Sequence, residues 1–364
     1  MALRKPPLHD VYAADASFTG FGGWEMPVEF DSIRAEHAAV RESVGIFDVS
    51  HMGEIAVSGP DATALMQRLT SNDVTRLSPG ESQYSAITDE SGIIIDDTIV
   101  YRLPETRDAE FLFVPNAGHD EEINQRWVDH CEEWGLDADV ENQTEDWAMV
   151  AVQGPDAAAT VDSVTDADVT SLSKGNLVES DVATVESLVA RTGYTGEDGF
   201  EILCPTADAE AVWTAFAGDC TPCGLGSRDT LRTEMGFLLS GQDFDPEDEP
   251  RTPYEAGIGW TVALDTEFVG RDALAAAESE GVEETFVGLV LRERGVARHG
   301  YDIVADGESI GHVTSGTMSP TLGEAIALGY VPTSYAEPGT EVAVDVRGRE
   351  KRAEIAATPF IEDH

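Results

Sequence analysis

An internal repeat constrains the fold of this 364-residue chain more than any other feature. Residues 55–62 read Ile-Ala-Val-Ser-Gly-Pro-Asp-Ala, and residues 150–157 read Val-Ala-Val-Gln-Gly-Pro-Asp-Ala. In each copy an apolar strand pattern runs through Gly-Pro into a helical pattern, and proline and aspartate both suit the first turn of a helix. After the first copy, Ala62, Leu65 and Leu69 fall on one helical face. The repeat therefore predicts two related α+β units in the first two-thirds of the chain.

The segment between the two copies reads as strands followed by a helix. Residues 84–88 and 93–101 are apolar and β-branched, and Asp89–Gly92 between them favours a hairpin turn. A further strand is predicted over Glu110–Val114, and an amphipathic helix over Glu121–Trp134.

The pattern changes at about Glu283, after a helical stretch at Gly270–Glu280. Short strand-like runs separated by glycine, proline and aspartate follow at residues 286–291, 310–315, 325–331, 342–346 and 353–357. This spacing predicts a small antiparallel β-barrel or sandwich at the C-terminus.

The charge balance excludes one class of partner. The chain has 22 basic and 70 acidic residues, a formal net charge of −48. Nucleic acid is not expected to bind, since phosphate recognition needs a basic face. Aromatic and β-branched residues run throughout, which favours a folded protein with an acidic surface over disorder. In molar salt the Debye length is only about 3 Å, so the self-repulsion is screened. The composition fits a halophilic host, and a mesophilic acidic enzyme is the alternative.

Apolar residues make up 41% of the chain, enough for substantial cores, but no run approaches the roughly 18–20 residues that span a bilayer. Residues 1–7 carry charge with no apolar run behind them, so a signal peptide is not expected. We expect a soluble, cytoplasmic protein.

Four cysteines are too few for a disulfide scaffold at this length. Cys220 and Cys223 form a CxxC pair, but no second pair and no paired histidines follow to complete a zinc site. Ordinary buried cysteines are the favoured interpretation, with a redox or metal role as the alternative.

Asp96 and Asp97 lie inside an apolar strand pattern, and strand alternation sends their side chains to opposite faces. One can be partly exposed, whereas the other must enter a core or a pocket. A desolvated carboxylate usually has a perturbed pKa and is a candidate for acid–base or electrostatic work. A structural carboxylate that binds neighbouring backbone is the alternative.

Two glycine-containing segments are further candidate sites. In Arg191–Glu201, three glycines in seven residues allow a tightly turned backbone to approach a ligand, although a plain hairpin turn is the alternative. The segment lacks the Gly-Lys-Ser/Thr of a nucleotide P-loop. In Cys223–Gly236, glycines lead into a helix that Ser227 is predicted to cap, which places Arg228 near its N-terminus as part of an anion seat. A surface pair of Arg228 with Asp229 is equally compatible with the pattern.

Taken together and in order, these segments resemble the aminomethyltransferase (glycine cleavage T-protein) family over nearly the whole chain. The matching segments are Gly22–Pro27, Phe47–Glu54, Ile94–Asp97, Val152–Pro155, Gly193–Glu201, Gly224–Asp229, Thr252–Gly257 and Thr314–Gly323.

The resemblance implies an α+β fold of three lobes around a central folate channel. The first α+β, folate-binding lobe is expected to comprise residues 1–50 with 146–227. The second α+β lobe would comprise residues 51–145 with 228–280, and residues 281–364 would form the C-terminal barrel.

The resemblance also implies an activity of the EC 2.1.2.10 type. An aminomethyl group on the lipoyl arm of a carrier, the glycine cleavage H-protein, passes its methylene carbon to tetrahydrofolate and ammonia is released. Tetrahydrofolate is the one-carbon acceptor, the carrier supplies the lipoyl group, and no metal is expected. Glycine decarboxylase and dihydrolipoyl dehydrogenase would be the functionally linked components of glycine catabolism.

By matching motif, Asp97 becomes the catalytic carboxylate beside the folate nitrogen that attacks, either taking its proton or stabilising positive charge. Glu201 would hold the amino-pyrimidinone edge of the pterin, because a carboxylate accepts two parallel N–H bonds from such an edge. The remaining residues that the resemblance places along the folate channel are Tyr84, Tyr194, Arg228, Met52 and Trp24.

Two segments depart from the family pattern. Leu231–Gly236 reads Leu-Arg-Thr-Glu-Met-Gly in place of Leu-Arg-Leu-Glu-Ala-Gly, and Asn116–His119 reads Asn-Ala-Gly-His in place of Asn-Ala-Ala-Asn. Local packing and carrier docking are the properties we expect these changes to affect.

Two alternatives share the scaffold. A folate-dependent demethylase, or the folate module of a dimethylglycine-type oxidase, uses another donor, but the chain has no dinucleotide fingerprint for the flavin domain of such an oxidase. A non-catalytic folate-binding assembly factor for iron–sulfur proteins is marked by a Lys-Gly-Cys-Tyr-x-Gly-Gln-Glu motif, which is absent here.

Overall fold

The computed structural model describes residues 2–361, which form a mixed α and β structure. In chain order its elements are α1 (His9–Tyr12), β1 (Ser17–Phe21), β2 (Trp24–Glu29), α2 (Ile33–Glu42), β3 (Gly45–Asp48), β4 (Ile55–Ser58), α3 (Ala62–Leu69), β5 (Ser82–Thr88), β6 (Ile94–Arg102), β7 (Phe111–Val114), α4 (Asp120–Trp134), β8 (Asp139–Asn142), β9 (Trp147–Gln153), α5 (Ala157–Asp162), β10 (Leu177–Val182), β11 (Val185–Ala190), β12 (Gly199–Pro205), α6 (Ala209–Phe216), β13 (Thr221–Cys223), α7 (Leu225–Met235), α8 (Arg271–Glu280), β14 (Glu284–Leu291), β15 (Asp302–Ala305), β16 (Glu308–Met318), β17 (Ala325–Pro332), β18 (Glu341–Asp345) and β19 (Glu350–Ala356).

The chain divides into two compact units. The first contains the residues up to Ser85 together with Asp97–Arg228, and the second contains Ala86–Asp96 together with the residues from Asp229 onward. No helix within residues 2–361 is long and apolar enough to cross a membrane.

A six-stranded sheet in the order β10-β11-β12-β9-β3-β13 carries much of the first unit. Its neighbours are antiparallel except β3 and β13, which run parallel. Its central strands are almost wholly apolar, and Ile46, Val150 and Ile202 are completely buried in one core with Phe200 and Phe216 of the same unit. A five-stranded sheet follows the order β5-β6-β7-β4-β8, in which β5 and β6 are the predicted hairpin.

The repeat has the predicted strand-to-helix architecture, since β4 leads into α3 and β9 into α5. The prediction for the prolines was wrong in detail, because the helices begin at Ala62 and Ala157, two residues after each proline. The aspartates do lie at the positive ends of the helices, since Asp61 and Asp156 are the N-cap residues, but neither side chain accepts a hydrogen bond from its own helix. Asp61 instead accepts a hydrogen bond from the Asp137 backbone N–H at 2.8 Å, and Asp156 accepts one from the Ser43 hydroxyl at 3.0 Å. Each aspartate therefore fastens its turn to a neighbouring segment.

The C-terminal strands close into the order β14-β17-β16-β15-β18-β19, with β14 also paired to β19 and every pairing antiparallel. This confirms the barrel form of the prediction and the α+β fold class. Strand β15 was missed, because it is only four residues long and is followed at once by Asp306, whose φ of 53° belongs to a turn. The division into three lobes with the boundaries given above stays a prediction.

A buried ion pair fastens the end of α7 within the second unit. The guanidinium of Arg232 donates to Asp243 at 2.6 Å and to the Ser315 hydroxyl at 2.8 Å, and both charged side chains have almost no exposure. Asp243 also accepts from Ser315 at 2.7 Å, and from Thr314 and the Leu239 backbone N–H. Arg232 of α7 and the two hydroxyls of β16 donate to the same carboxylate. The Asp243 side chain therefore holds α7 against strand β16.

Candidate functional site

Strand β6 places the two adjacent aspartates as alternation predicts. Asp96 is completely buried, and Asp97 is only partly buried. Alternate residues of β6 share a face, so Asp97, Ile99 and Tyr101 lie on the same side of the strand. The carboxylate that the resemblance assigns to catalysis is therefore the one that keeps access to a ligand.

Two side chains orient the Asp97 carboxylate. Oδ2 accepts a hydrogen bond from the Tyr84 hydroxyl on β5, and Oδ1 accepts one from the Asn116 side-chain amide at 2.6 Å. The Asn116 amide also donates to the Asp97 main-chain oxygen at 3.1 Å. Because each oxygen has a fixed donor, the carboxylate plane is set before a ligand arrives.

Asn116 was not among the predicted site residues, although it lies in the segment that departs from the family pattern. That departure leaves its contact with Asp97 intact. Asparagine after a buried strand is the signal that could have found it, but one asparagine at a strand end is too common a feature to be selected without the fold.

Glu201 lies on β12, opposite Ala151 of β9. Desolvation raises the pKa of its carboxyl above the ordinary value, and the positive charge of Arg228 partly offsets that rise. The Glu201 charge is in turn one of the causes that raise the pKa of Tyr101, after the burial of that phenol. Tyr101 shares a face of β6 with Asp97, so the phenol whose pKa responds to the Glu201 charge lies on the same strand face as the Asp97 carboxylate.

Arg228 lies over the ring of Tyr194, with 4.3 Å between the guanidinium carbon and the ring centroid. A guanidinium in that position is attracted by the negative face of the ring. Asp229 pairs instead with Arg232 at 2.7 Å, so the arrangement is not a surface pair of neighbours. Tyr194, Glu201 and Arg228 thus form one group, which we call the Glu201 group.

The prediction that Ser227 caps the helix was wrong, because α7 already begins at Leu225. The capping partner is the buried carboxylate of Glu36 on α2, which accepts from the Gly224 backbone N–H at 2.9 Å and from the Ser227 hydroxyl at 3.1 Å. A carboxylate is favourable at the positive end of a helix. Glu36 therefore fixes the helical turn that carries Arg228.

The glycine-rich loop is fastened by Gln153, the last residue of β9. The Gln153 amide donates to the Thr192 carbonyl at 3.0 Å and accepts from the Thr195 hydroxyl at 2.9 Å. A Cβ atom on Gly193 or Gly199 would lie 2.0 Å and 2.3 Å from the Gln153 side chain. At both positions glycine is therefore required by the close approach of Gln153, and the approach of this loop to a ligand stays a prediction.

Ion pairs fix the rest of this loop. Arg41 binds Glu197 and the Thr195 carbonyl, each at 2.8 Å, and Arg191 binds Asp198 through two nitrogens at 2.7 and 2.9 Å. These ion pairs and hydrogen bonds hold the loop that carries Tyr194 and leads to Glu201.

The segment Val49–Glu54, which we call the β3–β4 loop, contains Met52. Met52 is partly buried, and its backbone N–H donates to the Val49 carbonyl at 3.1 Å. Trp24 is buried on β2 beneath Arg4, whose guanidinium carbon is 4.0 Å from the ring centroid. The assignment of Met52 and Trp24 to the channel wall stays a prediction.

The CxxC cysteines are free and buried. Burial raises the pKa of the Cys220 thiol to about 12, and burial followed by the charge of Glu36 raises that of Cys223 further. Thiolate is the reactive form of cysteine, so this environment suppresses thiol reactivity. Within residues 2–361 no group of three or more histidine, cysteine, aspartate or glutamate side chains is arranged to hold a metal ion.

Two family models cover most of the chain. The GCVT N-terminal domain matches residues 8–266, and the glycine cleavage T-protein C-terminal barrel domain matches residues 285–362.

Relatives match over almost their whole length. A protein of Haloarcula marismortui named "Probable aminomethyltransferase" is 64% identical over 100% of both chains, and one of Halobacterium salinarum with the same name is 61% identical over 100% of both. The aminomethyltransferase of Bacillus subtilis is 42% identical, over 98% of this chain and 99% of its own. The crystal structure of the glycine cleavage system aminomethyltransferase T from Bartonella henselae matches with a TM-score of 0.91 and 32% identity over 99% of both chains.

The relatives from salt-loving archaea support a halophilic chain, and the shared names do not favour a demethylase or an assembly factor. Both family models, the relatives and the solved structure agree with the fold and with the motif segments. The chain belongs to the glycine cleavage T-protein family, and its activity is that of an aminomethyltransferase.

Proposed function

We propose that the chain transfers the methylene carbon of an aminomethyl group, held as a thioether by the lipoyl arm of the H-protein carrier, to tetrahydrofolate. The carbon forms bonds to two folate nitrogens and loses its bonds to sulfur and to the amine nitrogen. The two hydrogens lost by the folate nitrogens leave on the thiol and on ammonia. The products are methylene-tetrahydrofolate, dihydrolipoyl carrier and ammonia, and no oxidant is needed.

The observation that carries this proposal is the fixed carboxylate of Asp97. Its oxygens accept from Tyr84 and Asn116, so a negative charge is held in one orientation on a strand face that a ligand can reach. Such a charge stabilises positive charge that develops on the transferred carbon, or it receives the proton of the attacking nitrogen. Both roles need the carboxylate close to the folate nitrogen that attacks.

Enzymes of this family use tetrahydrofolate as a substrate, and the Glu201 group fits the pterin end of that molecule. A carboxylate accepts two parallel N–H bonds from the amino-pyrimidinone edge. The stacked pair of Tyr194 and Arg228 offers a flat surface and a positive charge beside that carboxylate. Tyr84 would contact the folate as well as Asp97, and Met52 and Trp24 would complete the wall of the channel.

The carrier is expected to meet a surface of the same sign as its own. This chain has a formal net charge of −48, and carriers of this family are typically acidic. Salt at molar concentration reduces the Debye length to about 3 Å and removes the long-range repulsion. Productive docking is therefore proposed to require high salt. The proposed setting is the cytoplasm, with glycine decarboxylase and dihydrolipoyl dehydrogenase as the functionally linked enzymes.

The direct test is a product assay with purified protein in concentrated potassium chloride. Tetrahydrofolate and aminomethyl-loaded lipoyl carrier are supplied, and methylene-tetrahydrofolate and ammonia are followed together. The proposal expects both products in equal amounts, with neither formed when folate is omitted. Folate binding without either product would contradict the proposed donor, and a rate highest in dilute buffer would contradict the proposed docking.

A further inference from the structure

Glu36 on α2 is a completely buried carboxylate that bridges two segments of the first unit. Its Oε1 atom accepts from the backbone N–H groups of Phe30 and Asp31, at 2.6 and 3.2 Å. Its Oε2 atom accepts from the Gly224 backbone N–H at 2.9 Å and from the Ser227 hydroxyl at 3.1 Å. One oxygen therefore holds the turn between β2 and α2, and the other holds the start of α7.

These contacts differ from those of an ordinary helix cap. The usual cap is a serine, threonine, aspartate or asparagine next to the helix that it caps, whereas Glu36 is 188 positions from Gly224 in the chain. All four donors to Glu36 are electrically neutral, and a buried charge held only by neutral donors is costly. The positive end of the α7 dipole offsets part of that cost. Compared with a local cap, Glu36 adds a fixed position of α7 relative to β2 and α2.

The start of α7 also lies close against the backbone of β2. A Cβ atom on Gly224 would lie 2.4 Å from the Val28 backbone, and one on Gly226 would lie 2.9 Å from the Val28 carbonyl oxygen. The helix continues from this contact, since the Arg228 N–H donates to the Gly224 carbonyl at 3.2 Å. Arg228 therefore lies on a turn whose position is set by Glu36 and by these two glycines.

The same contacts fill the anion seat that the sequence predicts at the start of α7. The Gly224 N–H donates to Glu36, so this donor is already bound to a negative charge of the chain itself. A second anion at the same place would be repelled by that charge. Arg228 instead lies over the ring of Tyr194, with 4.3 Å between the guanidinium carbon and the ring centroid. The role left for Arg228 is at this ring, in the Glu201 group.

We propose that Glu36 is a positioning residue for tetrahydrofolate binding, which acts by holding α7 so that Arg228 lies over Tyr194. The inference rests on the proposed binding of the pterin by the Glu201 group. Glu36 does not touch the ligand, and no proton is transferred. Loss of this link weakens folate binding and leaves the chemical step unchanged, because the Asp97 carboxylate is oriented by other side chains.

The test compares Glu36→Gln with the control Glu234→Gln in concentrated potassium chloride. Glu234 is also completely buried and accepts from the hydroxyls of Ser319 and Thr321, but it lies near the last residue of α7. In Glu36→Gln one acceptor oxygen becomes an NH₂ group, which cannot accept from the surrounding donors. The tetrahydrofolate Kd should rise about tenfold, with kcat at saturating folate changed by less than about twofold. Glu234→Gln should keep the wild-type Kd even where it lowers the thermal midpoint equally.

A double-mutant cycle with Arg228→Ala separates positioning from a general loss of stability. Arg228→Ala alone should weaken tetrahydrofolate binding. Adding Glu36→Gln should then weaken binding by less than about twofold more, because the residue to be positioned is gone. Equal weakening by Glu36→Gln in both backgrounds would overturn the proposal, as would a lower thermal midpoint with wild-type affinity. If Glu36→Gln does not fold, Ser227→Ala replaces it in the cycle and should weaken binding about threefold.

Failure of the proposed function would give a different result. If the wild-type protein does not bind tetrahydrofolate, or if Arg228→Ala binds it as tightly as wild type, the Glu201 group does not hold the pterin. If Arg228→Ala weakens binding and Glu36→Gln does not, only the positioning role of Glu36 is wrong.

Discussion

The polar groups around Asp243 and the side chains of His51 and Glu54 in the β3–β4 loop are equally buried, yet only the first set is saturated with hydrogen-bond partners. Asp243 accepts from Arg232, Thr314, Ser315 and the Leu239 N–H, and all of these contacts lie in one unit. In the loop, the nitrogens of His51 and the oxygens of Glu54 have no partner within residues 2–361.

The contrast distinguishes two uses of buried polarity. A saturated network has no capacity left for a ligand, so its contribution goes to holding elements together. An unsaturated buried group contributes no such link and carries a desolvation cost that its surroundings do not offset. The Asp97 carboxylate is intermediate: Tyr84 and Asn116 orient it, and it stays partly exposed.

The largest effect on stability is expected at the saturated network. Asp243→Ala leaves the buried Arg232 guanidinium without its carboxylate, and we expect a loss of about 3–5 kcal/mol in the free energy of unfolding. Denaturant unfolding in concentrated potassium chloride measures this. The matched control is Glu354→Ala, which removes a contact with Arg292 at 3.1 Å between two well-exposed side chains and should cost about 0–1 kcal/mol. Equal losses in the two variants would show that burial does not distinguish them.

Gln153 provides a second test of the comparison, because both polar atoms of its side chain have partners and those partners belong to the loop that carries Tyr194. Gln153→Ala removes the hydrogen bonds with Thr192 and Thr195 and should lower the free energy of unfolding by about 1–3 kcal/mol. Since the same loop carries Tyr194, tetrahydrofolate affinity should fall as well. The exposed Gln125→Ala on α4 is the control and should change neither quantity. A stability loss with unchanged folate affinity would make Gln153 purely structural.

A smaller effect is expected from the protonation of Glu201. Desolvation raises the pKa of this carboxyl, and only the ionised form accepts two N–H bonds from a pterin. Tetrahydrofolate affinity should therefore fall as the pH is lowered through that raised pKa, by at most about tenfold per pH unit below it. Glu201→Gln should bind weakly and lose this dependence.

The protonation of Glu201 has the opposite effect on the stability of the fold. A carboxyl whose folded-state pKa is raised binds its proton more tightly in the folded protein, so this group favours the fold as the pH falls. Weaker folate binding at low pH would thus not reflect unfolding caused by Glu201. Identical pH profiles for wild type and Glu201→Gln would contradict the pterin role of this carboxylate.

Local periodicity was sufficient for much of the fold. Strands β5 and β6 and helices α4 and α8 lie within two residues of their predicted ends, since their apolar patterns are strong. Strand β15 and the true start of α7 were missed. The first is short and polar at its ends, and the second depends on Glu36, a residue 188 positions from Gly224. Contacts between residues so far apart in the chain do not change the local pattern of apolar residues.

The candidate site was also predictable only in part, because some of its residues lie in local motifs and others are brought together by the fold. Asp97, Glu201 and Arg228 lie in motif segments, and the alternation of Asp96 with Asp97 followed from strand geometry alone. Asn116 and Gln153 could not be predicted in this way, because only the folded chain brings Asn116 to Asp97 and Gln153 to the glycine-rich loop.

The central claim is that the charge of Asp97 acts on the reacting atoms, and Asp97→Asn tests it most directly. The amide keeps the shape of the side chain and removes the charge. The measurement is kcat with saturating loaded carrier alongside the Kd for tetrahydrofolate, both in concentrated potassium chloride. We expect kcat to fall by about 10²- to 10³-fold while the Kd changes by less than about threefold. Equal losses in kcat and in folate affinity would contradict the claim and make Asp97 a binding residue.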